Sequence, residues 1–461
     1  MRKTLLFFSL IIAAFLSSCG KDEEITVDAN AVLNFSKDSV LFDTVFTSIG
    51  STSRRLQIYN TNEKAININN VRLAGGSASA FSLNINGLAS TETANLKING
   101  TDSINLFVKV NINPTSQNLP FIVQDSILFY YNGKKQSIPL VAYGQNAVFV
   151  NGNTIKENTI WDSKLPYIIY KSVTVAKDAQ LTLNPGTKIL FHGNSTMAIK
   201  GTLIANGSKK DSIVFTSDRL EKMYENESGQ WNGLHFYPES KNSNINYAII
   251  KNAVAGITVD SLSATKNPKL LLCNSIIKNM QVVGFLGYQT ELTAFNNLFY
   301  NCGQYLLYGV GGGKYDLKQN TFAGYNIDYT RKTPAVYFSD YISNTQAGNL
   351  AVELTNNLIW GQLNDEFVIE KKNTLTTISS SIKHNLLKTL STNYNAGGNI
   401  INTDPQFVDP SKFNFNLNKA SAAQNKGLDL SSNLYFNEIL KKDLSGKNRI
   451  FPYELGCYEN K

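Results

Sequence analysis

Few residues in this chain combine the type and spacing that chemistry needs. Hydrolysis of a glycosidic bond takes two carboxylates at a set separation. Elimination beside a uronate carboxyl takes carboxylates to hold calcium and an Arg or Lys to remove the proton. Asp340, Asp365, Glu366 and Glu370 are the acidic candidates in the repetitive part of the chain, and their spacing matches no repeat step. One basic residue stands out, Arg331 in Asp328-Tyr329-Thr330-Arg331-Lys332-Thr333-Pro334; it is the one catalytic candidate, set against an exposed loop arginine. His192, His235 and His384 fall in different repeats and read as turn or surface residues, so no metal site is expected. Gly311-Gly312-Gly313-Lys314 is followed by Tyr315, lacks the spacing of a phosphate-binding loop, and reads as an ordinary loop.

Aromatic residues are the better lead. Tyr300, Tyr305, Tyr308, Tyr325, Tyr329, Tyr337, Tyr341 and Trp360 gather in one region. Flat rings with a polar edge suit stacking on sugars as well as filling a core. Core filling is the expectation for most of them; Tyr329, Arg331 and Trp360 are the candidate carbohydrate contacts.

The N-terminus carries an address. Arg2 and Lys3 precede the apolar run Leu5 to Leu16, interrupted by Ser9 alone. That run is shorter than the roughly 20 residues a membrane-spanning helix needs and reads as a signal peptide over 1–18. Leu16-Ser17-Ser18-Cys19 resembles the lipobox of bacterial lipoproteins. The resemblance implies acylation of Cys19, an anchor of two or three acyl chains, and a lipidated tether over 19–30. Lys21-Asp22-Glu23-Glu24 looks like the acidic tags that send some Gram-negative lipoproteins to the outer cell surface, so outer-membrane, surface-exposed placement is the expectation.

Net charge is +8, but the positive residues are scattered, and the pairs Lys209-Lys210, Lys371-Lys372 and Lys441-Lys442 form no stripe with aromatics. This excludes the pattern of a nucleic-acid binder. Besides Cys19 the cysteines are Cys273, Cys302 and Cys457, an odd number without metal-site spacing, expected as buried thiols.

Residues 31–146 alternate apolar and polar with period two, as in Leu56-Gln57-Ile58-Tyr59 and Leu106-Phe107-Val108-Lys109-Val110. Asn132-Gly133 favours a type I′ hairpin. About seven short strands predict an antiparallel sandwich. Phe42-Asp43-Thr44-Val45 with Gly50, Ile58-Tyr59-Asn60 and Ile138-Pro139-Leu140-Val141-Ala142-Tyr143-Gly144 resemble immunoglobulin-like domains of the HYDIN and abnormal-spindle type, which implies a spacer or adaptor.

From 150 to 429 a frame repeats. Tyr247, Asn274, Asn296, Asn320, Asn356 and His384 follow one another at steps of 27, 22, 24, 36 and 28 residues, room for three short strands and three turns. Asn tolerates the left-handed conformation of a sharp turn, and stacked Asn side chains can bond in a ladder. Asn184-Pro185-Gly186-Thr187 predicts a type II turn. With Gly201-Thr202-Leu203 and Trp231-Asn232-Gly233-Leu234, this block resembles the opening coils of pectate-lyase-like proteins. Asp404-Pro405-Gln406-Phe407-Val408-Asp409 through Gly456-Cys457-Tyr458-Glu459 resembles the closing segment of bacterial surface β-helix proteins, so 430–461 is expected to cap the last coil. The fold class is all-β: an immunoglobulin-like β-sandwich, then a right-handed parallel β-helix of about a dozen coils, roughly 55 Å at 4.8 Å per coil.

Enzymes that the β-helix resemblance implies are polysaccharide lyases and hydrolases, yet the chain has no Asp-Asp, Gly-His-Gly or Arg-Ile-Lys, the marks of the polygalacturonase branch. The expectation is a surface lipoprotein that binds a polysaccharide or host cell-surface glycan, or serves as an adhesion scaffold, without catalysis or cofactor. The alternative is a lyase or hydrolase of acidic polysaccharide, with calcium only in the lyase case.

Overall fold

The computed structural model describes residues 24–85, 87–326, 330–343 and 345–460. Cys19 and Tyr329 lie outside them. The chain divides into two units at Asn146 and Ala147.

In the first unit, alternation places one side of each strand in a shared core that includes Val40, Leu56, Ile68, Leu106, Phe129 and Leu140. Two five-stranded sheets result. One orders Leu33–Phe35, Arg54–Asn60, Ser103–Val110, Phe81–Ile85 and Leu88–Ser90; the other Val40–Phe46, Lys134–Gln145, Phe121–Tyr131, Ile66–Leu73 and Glu92–Ile98. The extra strands over the seven expected include three-residue pieces too short to register as a period. Pairing is antiparallel except between Lys134–Gln145 and Val40–Phe46, which run parallel. Asn132 (φ +46°) and Gly133 (φ +70°) make the turn with two positive φ values that the dipeptide predicted.

The second unit is a parallel β-helix with three faces. Among the described residues, eleven strands stack on the first face and nine coils carry strands on the second and third. On the first face the inward file runs Ile189, Phe215, Ile250, Ile277, Phe299, Phe322, Ile359, Leu387, each register partner of the next and fully buried. A single coil buries too few side chains to offset the entropy of ordering its residues, so coils are stable only as a stack. The type II turn forms as read, with Gly186 at φ +81° and Thr187 N donating to Asn184 O at 3.1 Å.

The turns explain the Asn-rich frame. Tyr247, Asn274, Asn296, Gln319, Asn356 and His384 take left-handed φ of +47° to +61° where the third face passes to the first. Gln319, not Asn320, holds the turn in the fourth frame. Asn320 belongs to a second file one residue on, where Nδ2 of Asn297, Asn320, Asn357 and Asn385 donates to Oδ1 of the next coil's Asn at 2.9–3.1 Å. The same Oδ1 atoms accept backbone N–H groups, and each Nδ2 also reaches a backbone carbonyl, so these buried amides are satisfied. A further ladder, Asn252, Asn279 and Asn301, follows the same steps of 27 and 22 at the turn from first to second face.

The C-terminal segment does not sit on the last coil. It runs along the flank, where outward residues such as Leu298, Leu358, Leu386 and Phe295 are apolar and need a cover. Phe407, Phe415, Leu444, Leu455 and Cys457 pack over the first face, and Leu430, Ile439 and Leu440 pack beside Cys273 and Phe295. The left-handed turn residues are its anchors: Asn356 bonds Leu428 in both directions (2.7 and 2.9 Å), His384 Nδ1 lies 2.9 Å from Lys426 O, and Asn296 Nδ2 donates to Lys442 O at 2.8 Å.

Candidate functional site

Alternation on the second face turns every other side chain outward, and parallel register lines them up. Thr258, Leu286, Tyr308, Tyr337 and Val368 form one outward file on successive coils. Asp260, Tyr288 and Val310 form the next. Tyr305 and Tyr308 stack with centroids 4.3 Å apart and planes at 7°, and Tyr337 tilts against both at 5.9 and 5.5 Å. Tyr288 is 40% exposed beside them. The Tyr337 hydroxyl donates to Glu370 Oε2, and Glu370 pairs with Lys372 at 3.1 Å. The Tyr337 bond, with Lys372, holds the Glu370 carboxyl below its ordinary range despite partial burial. Burial raises the phenols of Tyr305 and Tyr308, keeping them neutral donors. Further along the face, His235 Nε2 lies 2.8 Å from Asp260 Oδ2, with Tyr237 stacked on the imidazole at 4.2 Å and Lys200 5.4 Å over the Tyr237 ring.

This face can stack flat rings and bond hydroxyls. Glu370 has Asp340 as its acidic neighbour, but Asp340 is fully buried and occupied by the backbone N–H groups of Lys372 and Asn373 and the Thr376 hydroxyl. The two therefore do not form an acid and base pair open to a sugar. Among the described residues no group of three or more His, Cys, Asp or Glu side chains is placed to hold a metal ion.

The residues singled out in sequence are not on this face. Arg331 is 3% exposed, and its Nη2 pairs with Glu366 Oε1 at 2.6 Å and donates to Gly324 O at 2.9 Å. Glu366 also accepts the N–H groups of Ala335 and Leu363. Gly324 and Gly361, stacked on adjacent coils, leave room for the pair; a Cβ at either would strike it. The pair thus locks the 36-residue step to the following coil, and burial keeps Arg331 from presenting a donor to a sugar. Trp360 is 8% exposed, lies in the cluster under the C-terminal segment, and has Lys388 Nζ 4.8 Å over its ring. Tyr300 and Tyr325 are covered by Phe413, Phe415 and Phe407. Of the aromatic group, Tyr305, Tyr308, Tyr325, Tyr337 and Tyr341 are partly exposed, Tyr325 beside Phe407 and Phe415 rather than in the tyrosine file. Tyr288 was missed, although the 22-residue step from Asn274 to Asn296 also carries Leu286 to Tyr308 and so places Tyr288 on the same sheet.

Residues 140–322 match the model of the right handed beta helix region family. No curated protein matches the chain. Similarity to solved structures spans about a quarter of it. A family 123 glycoside hydrolase from Clostridium perfringens aligns at 11% identity and TM-score 0.20, over 27% of this chain and 30% of its own. The chaperone DraB of E. coli aligns at 9% identity and TM-score 0.18, over 27% and 56%. A protein of unknown function from Porphyromonas gingivalis aligns at 11% identity and TM-score 0.16, over 27% and 59%. The second unit is a right-handed parallel β-helix, and residues 140–322 carry the family's signature.

Proposed function

We propose that this protein binds a glycan chain along the second face of the β-helix, without catalysis, and is held outside the cell by acylated Cys19, the sandwich serving as an immunoglobulin-like spacer. The observation that carries the glycan reading is the file of partly open tyrosines on a rigid parallel sheet, edged by Glu370 and Lys372. Rings fixed by a sheet lose little entropy on binding, and a phenol adds a hydrogen bond at the rim of an apolar plane.

A panel of polysaccharides in affinity electrophoresis with the mature chain tests it. Tyr308→Ala and Tyr337→Ala are each expected to weaken retention about tenfold, the equivalent of ~1.4 kcal/mol. Retention of no polysaccharide, or retention indifferent to both substitutions, ends the reading. The anchor has its own check: fatty-acid label and membrane association should both disappear in Cys19→Ser, and an unchanged Cys19→Ser protein would refute acylation at that residue.

A further inference from the structure

Beside the tyrosine file, the turn from second to third face alternates tight and extended connections. Ser261 (φ +62°), Gln289 (φ +48°), Gly311 (φ +75°) and Gly312 (φ +90°) occupy it on successive coils. The coils of Gln289 and Gly311 turn tightly, while their neighbours on either side throw segments outward. After Ser261, residues 262–268 leave the coil and return at Lys269, whose Nζ is tied to Pro238 O (2.9 Å) and Ser261 Oγ (2.8 Å). On the other side Tyr341–Ser343 and Gln346–Ala347 form an antiparallel hairpin that re-enters at Gly348. Two walls therefore flank a low floor.

Gly311 and Gly312 keep the floor low. A side chain at Gly311 would collide with Ile342 of the hairpin and with Gln289; at Gly312 it would meet the backbone of Gly348 and Asn349. What remains is a recess of about 550 Å³. Its lining mixes the aliphatic Leu262 and Ala351 with the amide of Gln289 and the hydroxyls of Ser261, Thr377 and Ser379. Specific small-ligand sites have this volume and this mix of apolar surface with a few polar groups. The tyrosine-bearing strand leads into the recess: Tyr288 immediately precedes Gln289 of its lining, and Tyr341 opens the hairpin wall.

We infer that the recess receives a single pendant sugar of the chain lying on the tyrosines, so that the protein selects branched over linear glycans. The inference rests on the glycan reading above. Aliphatic contacts match the apolar face of a pyranose, and the ring of Ser, Thr and Gln groups matches its hydroxyls.

Three matched pairs separate the two claims: xyloglucan with cellohexaose, galactomannan with mannohexaose, and arabinoxylan with xylohexaose. At least one branched member should bind tenfold or more tightly than its linear partner. Ser379→Trp, which fills the recess from an exposed position, should abolish that preference and leave the linear partner unchanged. Tyr308→Ala should weaken both members. If Tyr308→Ala weakens binding while Ser379→Trp leaves the branched member untouched, or if no branched member is preferred, the recess assignment is wrong and the glycan reading stands. If none of the six probes binds, both fall.

Discussion

Replacing Arg331 with methionine is expected to destabilise the β-helix unit by about 3–5 kcal/mol, the usual consequence of leaving one member of a buried ion pair alone. Glu366 is fully buried and would be left with only the Ala335 and Leu363 N–H groups as partners. Arg331 Nη1 also donates to Thr333 O, and Nη2 to Gly324 O, so the substitution frees the segment before Ala335 as well. Chemical denaturation followed by circular dichroism measures the loss. Arg331→Met with Glu366→Gln should recover part of it, because a neutral amide strands no charge, although its single oxygen can accept only one of the two N–H groups, which reach different carboxylate oxygens. Retention of polysaccharide at 25 °C should barely change, since neither side chain reaches the tyrosine face. A single substitution costing under 1 kcal/mol would show that the pair is not the lock described.

The second large effect is a dependence on pH built into the C-terminal segment. Arg449 and Glu459 pair at 3.2 Å with both side chains fully buried, and Arg449 also bonds Asn296 Oδ1 (3.0 Å) and Gly456 O (2.9 Å). Around Glu459 stand Glu454, Asp443, whose Oδ2 accepts the Glu459 N–H at 2.8 Å, and Lys447, whose Nζ reaches Glu459 O at 3.3 Å. Burial first, and the hydrogen bond with Glu454 second, push the Glu459 carboxyl up from its ordinary 4.5 to about 8. The folded chain therefore holds a proton that the unfolded chain releases near 4.5. The stabilisation from that proton is fully present below pH 4.5 and is lost as pH rises through about 8. The thermal midpoint should fall between pH 5 and pH 8.5, and Glu459→Gln should show a markedly smaller fall over the same interval. Parallel pH profiles for the two proteins would contradict a raised Glu459 carboxyl.

Both effects involve residues whose roles are invisible in local sequence. Arg331 was noticed because a lone arginine in a long insertion could act as a base. Its partner, Glu366, sits 35 residues on. Arg449 meets Asn296 across 153 residues. No periodicity reports such pairings, because each arginine lies outside the repeat.

What the amino-acid order settled unaided is the coil. Period-two alternation, turn residues that accept positive φ, and steps of 22 to 36 residues leave stacked three-strand coils as the arrangement that buries the aliphatic files and pairs the backbone. The Asn frame was readable for the same reason, off by one residue at Gln319, because Gln319-Asn320 offers two polar side chains where a turn needs one. Which outward side chains meet solvent was decided only in three dimensions. Tyr300 and Tyr305 lie five residues apart, yet Tyr300 is 7% exposed beneath Phe413 and Phe415, while Tyr305 stacks in the open on Tyr308. The cover comes from more than a hundred residues downstream, folding back along the flank. Local pattern fixes the direction of a side chain relative to its own strand; exposure depends on what the rest of the chain lays over that strand.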